Sequence, residues 1–271
     1  MVEYKTTTSE VAACWERNAE TWTRLSRKGY DVYRDRLNTP VFLGNLPDIG
    51  GQKGLDIGCG EGSNTRQLAK LGARMTGIDV APTFVAHARQ AEATAPLGMD
   101  YEVADATALP FADGVFDFAV AFMSLMDVAD QESAVKEAYR VIRSDGFFQF
   151  SILHPCFAPP SRETLRDAAG SVTGVRLGEY YQENDGSVEE WTFGDAKRAG
   201  EEISELFRVP RFHRTLATWV NMLISTGFVI EHMAEPRASE AAAIAYPKIA
   251  DTRVVPMFLH VRARKPSVRP V

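Results

Sequence analysis

The sequence predicts an α/β fold: a doubly wound, mostly parallel sheet with a ligand site along the carboxyl ends of its strands. Three observations predict it. Between residues 54 and 153, short apolar runs that read as buried strands alternate with segments of helical spacing. The first run, Leu55-Asp56-Ile57, opens directly onto glycines at 58, 60 and 62. Five candidate ligand positions, after Ile57, Ile78, Ala104, Ala121 and Leu153, all fall on the edge where such sheets bind ligands.

Taken in order, residues 1–8 are polar and read as loose. A helix follows, with Ser9 placed to cap it and Val11, Cys14, Trp15, Trp22 and Leu25 near one face. Arg24, Arg27 and Lys28 at its end read either as partners of a carboxylate or as solvated surface. A second helix over 32–46 stops near Pro47, and Gly50-Gly51 lead into the first strand. These elements make residues 1–50 a helical cap on a core spanning 51–153.

Beyond the glycine bend, Thr65, Leu68, Ala69 and Leu71 recur at helical spacing, and Gly72 stands where a left-handed C-cap belongs. A bend of this kind lets the backbone approach a ligand without Cβ interference and presents unpaired helix N–H groups to it. Residues 74–79 form a short strand ending in Asp79, 21 residues after Gly58, where an acid at a strand tip can accept both hydroxyls of a ribose. Pro82 starts a helix with Phe84, Val85, Ala88 and Ala91 inward. The third strand, 99–105, ends in Asp105-Ala106, and the fourth occupies 114–122. Asp127 then reads either as a helix cap or as a catalytic carboxylate. Asp130 opens a helix whose apolar face is Ala134, Val135, Ala138, Tyr139, Val141 and Ile142, and residues 147–153 are the fifth strand.

Residues 154–212 are rich in Gly, Pro and charge and hold seven aromatic side chains, including Tyr180, Tyr181, Trp191 and Phe193. So long a connection leaving a central strand predicts an insertion that covers the substrate. Residues 213–271 contribute a helix capped by Gly227, a strand at 228–233, a strand at 257–263 and a frayed tail from 264. His154, at the tip of the fifth strand and before Pro155, is the candidate catalytic residue as a general base; a loop-fixing hydrogen bond is the alternative. His213 is a weaker candidate on the same grounds.

Composition narrows the function. The 271 residues are 45% hydrophobic, enough for a sizeable core, and the element pattern favours one domain over 1–271. Thirty basic against 36 acidic residues, with no dense Lys/Arg run, argue against a nucleic-acid partner. Cys14, Cys59 and Cys156 lack metal-ligand or disulfide spacing, so a reducing compartment and no metal are expected. With no leader-like segment and no long apolar run, the chain is expected to be cytoplasmic and without a membrane partner.

The glycine pattern departs from the dinucleotide fingerprint, whose third glycine would fall at Ser63. Asp56-x-Gly58-x-Gly60-x-Gly62, Asp79, Asp105-Ala106 with Leu109-Pro110-Phe111, and Phe116-Asp117 together resemble the class I S-adenosylmethionine (SAM) dependent methyltransferases. The resemblance covers 54–153 by motif and 214–263 by element order. It implies a Rossmann-like sheet of seven strands, the last antiparallel and inserted between the fifth and sixth. It also implies SAM as cofactor and S-adenosylhomocysteine (SAH) as product. Asp56 would face the methionine end, Asp79 the ribose, and Asp105 and Ala106 the adenine, with Gly58, Gly60, Val80 and Phe122 also in contact. Trp15 and Trp22 have the aromatic spacing of a lid helix, and Trp22 reads as a cofactor contact or as core packing. The tryptophan-rich helix, the Ser151–Phe157 run and the insertion are similar to small-molecule methyltransferases of the ubiquinone-biosynthesis type. The reaction implied is methyl transfer to an O, N or C atom of a small acceptor by a monomer or homodimer. A non-catalytic SAM-binding regulator and an NAD-dependent oxidoreductase are the alternatives.

Overall fold

The computed structural model describes residues 6–203 and 205–267. The expectations for 1–5 and 268–271 lie outside the described residues. Helix α1 (Thr8–Arg27) is capped by Thr7, not Ser9: the Thr7 hydroxyl accepts from the Glu10 N–H while the Glu10 carboxylate accepts from the Thr7 N–H. Thr6 is buried and its N–H donates to the Asp185 carbonyl, so residues 6–8 are held in place and not loose. The basic end of α1 is not merely solvated. Arg24 and Lys28 each meet Glu201 of the insertion at 2.8 Å.

The second helical segment contains a π-helical turn, Arg34–Asn38, that runs into α2 (Thr39–Gly44). Then come β1 (Lys53–Ile57), α3 (Ser63–Lys70), β2 (Arg74–Asp79), α4 (Pro82–Thr94), β3 (Asp100–Val103), β4 (Phe116–Phe122), α5 (Gln131–Val141) and β5 (Ile142–Leu153). Leu71, expected on the inner face of α3, is exposed as the C-cap, and Gly72 takes the left-handed conformation that ends the helix. Ile142 begins β5 instead of ending α5.

Two hairpins fill the long connection: β6 (Ser161–Arg166) with β7 (Val172–Gly178), and β8 (Ser187–Trp191) with β9 (Phe207–Arg211), the second pair separated by a short α6 (Gly194–Arg198). Helix α7 (Leu216–Thr226), β10 (Val229–Ala234), α8 (Glu240–Ala245) and β11 (Phe258–Arg264) complete the chain, with a 3-10 turn at Pro247–Arg253. Lys265, expected in a frayed tail, is held: its N–H donates to the Gly146 carbonyl and its ammonium to the carbonyls of Tyr139 and Ile142.

The sheet has seven strands in the order β10-β11-β5-β4-β1-β2-β3. Only β11 runs against its neighbours, and it lies between the fifth and the sixth strand of the sheet. Alternation along β4 explains the two layers: Ala119 and Ala121 face α5 and α7 with Phe148, Phe150 and Trp219, while Phe118 and Val120 face α2, α3 and α4 with Phe42, Leu68 and Val85. The strand order reverses beside β1, which pairs with β2 on one side and β4 on the other. A crevice outside the carboxyl ends of the strands is forced open there.

Candidate active site

The floor of that crevice is the loop after β1. The Gly58 and Cys59 N–H groups both donate to the Ile78 carbonyl, which fastens the loop to β2. Gly58, Gly60 and Gly62 all have positive φ, the region where a Cβ is strained. Their reasons differ. A Cβ on Gly58 would lie 2.4 Å from the Ser124 Cβ, so this glycine permits close packing of two loops; a Cβ on Gly60 would meet nothing within 4 Å, so this one keeps open space over the floor.

Three strand tips bring acids to the floor. Asp79 is 9% exposed and splints the loop: one carboxyl oxygen accepts from the Gly60 N–H and the other from the Ala81 N–H, each at 2.9 Å. Burial pushes its pKa up to about 6 against those hydrogen bonds. Asp56 accepts from the Thr65 hydroxyl at 2.6 Å, while its second oxygen is buried with no partner among the described residues. Burial lifts its carboxyl to about 7, with the neighbouring Asp79 adding to the rise. Asp105 accepts from the Thr107 N–H at 2.8 Å, which turns the chain after β3.

Above them lies one cavity of about 690 Å³, within the roughly 300–1,000 Å³ usual for ligand sites. Asp56, Gly58, Gly60, Asp79, Val80, Asp105, Ala106, Phe122 and Trp22 all line it. Trp22 also packs edge-on against Trp15, Trp191 and Phe193 at centroid distances of 5.0–5.3 Å, the packing its second reading expected.

Among known families, the methyltransferase domain matches residues 55–150. A ubiquinone biosynthesis O-methyltransferase from Methylobacterium sp. (strain 4-46) is 35% identical over 121 residues, 45% of each chain. An O-methyltransferase, cnsE, of Penicillium expansum is 36% identical over 132 residues, 46% of this chain and 48% of that one. The chain thus spans about half the length of the curated relatives it matches. The crystal structure of a SAM-dependent methyltransferase from Mesorhizobium loti is 31% identical with a TM-score of 0.66, and the match covers 83% of this chain and 96% of that one. The chain belongs to the SAM-dependent methyltransferases.

Several residues of this family member's cavity carry no motif. Arg34, in the π-helical turn, reaches the buried Glu61 at 3.2 Å, and both line the cavity. No periodicity reveals a single wide turn inside a helix, a feature that recurs at functional sites. Met123, just past β4, has φ 53°, and its N–H is held by the Ser151 carbonyl and hydroxyl at 3.0 and 3.2 Å. A non-glycine residue at positive φ is strained and is kept so by those bonds.

The insertion contributes unevenly. Glu189 to Phe193, Val209 and Arg211 of the β8–β9 hairpin line the cavity, whereas no residue of β6 or β7 does. Tyr181 is 87% exposed and Tyr180 binds the Leu216 N–H; neither lines the cavity. His154 is also outside the lining. It is 2% exposed, its Nε2 lies 2.9 Å from a Glu235 carboxyl oxygen, and its Nδ1 accepts from the Cys156 N–H. Both nitrogens are therefore engaged, as in the loop-fixing alternative, and burial lowers its pKa against the pull of Glu235. His213 is buried too, with Nε2 against the Tyr180 carbonyl.

Asp127 is not the cap of α5. The cap of α5 is Asp130, which accepts from the Ser133 N–H, while Asp127 sits in a 3-10 turn, Leu125–Asp127, and lines the cavity. Among the described residues no cluster of His, Cys, Asp and Glu suits a metal ion, and no helix is long and apolar enough to cross a membrane.

Proposed function

We propose that this protein moves the methyl group of SAM to an O, N or C atom of a small-molecule acceptor. The observation that carries the reading is that three acids from successive parallel strands, Asp56, Asp79 and Asp105, line one cavity with an open glycine floor. The residues fit the cofactor. Asp79 spends one acceptor position of each oxygen on Gly60 and Ala81, and each carboxyl oxygen has a second position for a ribose hydroxyl. The unpartnered oxygen of Asp56 is the complement of an ammonium or sulfonium charge. Asp105 and the Ala106 backbone would hold the adenine, with Val80 and Phe122 as apolar contacts.

When bound, SAM supplies a methyl group already activated by its sulfonium. The chain has to hold the acceptor near 3–3.5 Å from that carbon, in line, and to exclude water. Trp15, Trp22, Trp191 and Phe193 form an apolar cover suited to exclusion. The O-methyltransferase relatives support a small acceptor, and the lack of a dense basic run supports one that is not a nucleic acid or polyphosphate. A non-catalytic regulator has no need of the further cavity wall that runs to Arg211, Lys248 and Phe258. Three free cysteines support a reducing, cytoplasmic setting. Calorimetry with SAH and with NAD tests the reading: SAH is expected to bind and NAD not, and tight NAD binding without a response to SAH would overturn it. A methyl-transfer screen over phenols, amines and carboxylates, read as SAH release, then sorts the acceptors.

A further inference from the structure

Asp127 is 6% exposed and lines the cavity, and its Oδ1 has no hydrogen-bond partner among the described residues. A buried carboxyl oxygen left unpaired is destabilising unless a ligand satisfies it. The neighbouring cation does not do so. The Arg211 guanidinium is committed to the Glu189 carboxylate at 2.9 Å and to the Ala158 carbonyl. The arrangement is braced, because the Phe212 N–H donates to the Met126 carbonyl at 2.8 Å and the Gln131 amide to the Phe212 carbonyl at 3.1 Å, tying the end of β9 to the turn that carries Asp127.

We propose that Asp127 holds the methyl acceptor, its carboxyl accepting a hydrogen bond from an acceptor O–H or N–H and taking that proton as the methyl group is transferred. This rests on the methyltransferase reading and narrows it to nucleophiles that arrive protonated, with anionic acceptors disfavoured by Asp127 and Glu189 together. A lone pair on the acceptor O or N forms the new bond to the methyl carbon, the methyl–sulfur pair stays on sulfur, the O–H or N–H pair stays on the acceptor atom, and the proton passes to a lone pair of the Asp127 carboxylate. Burial, reinforced by Glu189 and opposed by Arg211, pushes the Asp127 carboxyl well above the usual range, so proton capture belongs to its ionised form and methyl transfer is expected to rise with pH as that form grows. Trp191 and Phe193 on the hairpin, with Tyr33 and Phe258 lining the same cavity, suit a flat acceptor.

The test uses the whole chain saturated with SAH and three probes of one size, phenol, aniline and toluene, titrated by ligand-observed NMR. Phenol and aniline are expected to bind about tenfold tighter than toluene, the worth of one buried hydrogen bond. Asp127→Leu should erase that preference, and Asp127→Asn, which keeps an acceptor oxygen, should retain most of it. Asp127→Ala serves if the leucine variant does not fold. SAH affinity should be unchanged in every variant. SAH binding with no preference for phenol or aniline in the parent, or a preference that survives loss of the carboxyl, overturns this proposal alone; a parent that does not bind SAH overturns the methyltransferase reading and this proposal with it.

Discussion

Replacing Asp79 by alanine separates the two roles the structure gives this carboxylate. On the ligand side it would remove hydrogen bonds from two ribose hydroxyls to a charged acceptor, a loss of roughly 1.5–3 kcal/mol, or about 10- to 150-fold in Kd. On the folding side two effects oppose. A carboxyl held at about 6 instead of 3.8 carries about 3 kcal/mol of charge-burial penalty at neutral pH, which the substitution relieves. The same substitution strands the Gly60 and Ala81 N–H groups, at about 1–3 kcal/mol each if no water reaches them. The net change in stability is expected to be small beside the loss of affinity. Calorimetry with SAH, paired with a melting curve for each protein, reads both quantities. An alanine variant that binds SAH within about threefold of the parent, with its fold intact, would refute the placement of the ribose.

The two loop glycines should respond differently to alanine. Gly58→Ala, whose Cβ runs into Ser124, should lower Tm markedly; Gly60→Ala should lose less stability but should weaken SAH binding by filling the floor, and equal Tm losses would count against the distinction. Affinity for SAH should rise with pH between about 5.5 and 7.5 and then level off. Asp79 and Asp56 keep their protons to about 6 and about 7 in the empty site, and a ligand that brings an ammonium group and two ribose hydroxyls favours the ionised forms. The same raised values mean that the native ligand-free chain binds more protons than the unfolded chain above pH 3.8, so these two acids lower its stability as pH rises to about 7. A flat profile of affinity from pH 5.5 to 8 would contradict this. His154→Ala should leave SAH affinity intact and reduce turnover only a few-fold while lowering Tm, because the ring braces Glu235 and Cys156 outside the cavity; a hundredfold fall in kcat at unchanged Tm would restore it as a general base.

The sequence by itself determined the sheet, its handed alternation with helices, and the positions of Asp56, Gly58, Gly60, Asp79 and Asp105. Those features are local. A glycine at positive φ, an acid at a strand tip and an apolar run are each specified by neighbours a few residues away, and the parallel topology then carries them to one edge. Tertiary structure decided what depends on groups far apart in the chain. Arg34, carried on a π-helical turn, meets Glu61 of the β1 loop from 27 residues away, and no local pattern encodes that contact. Tyr180 and Trp191 belong to the same aromatic insertion, yet only Trp191 lines the cavity, because the β8–β9 hairpin packs on α1 and the aromatic contact with Trp22 holds it there. His154 and Asp127 show the same limit most plainly. Both are titratable residues beyond a central strand, and distant groups decided their fates: Glu235, 81 residues on, captures the histidine, while Arg211, 84 residues on, is committed to Glu189 and Ala158 and leaves the Asp127 Oδ1 without a partner among the described residues.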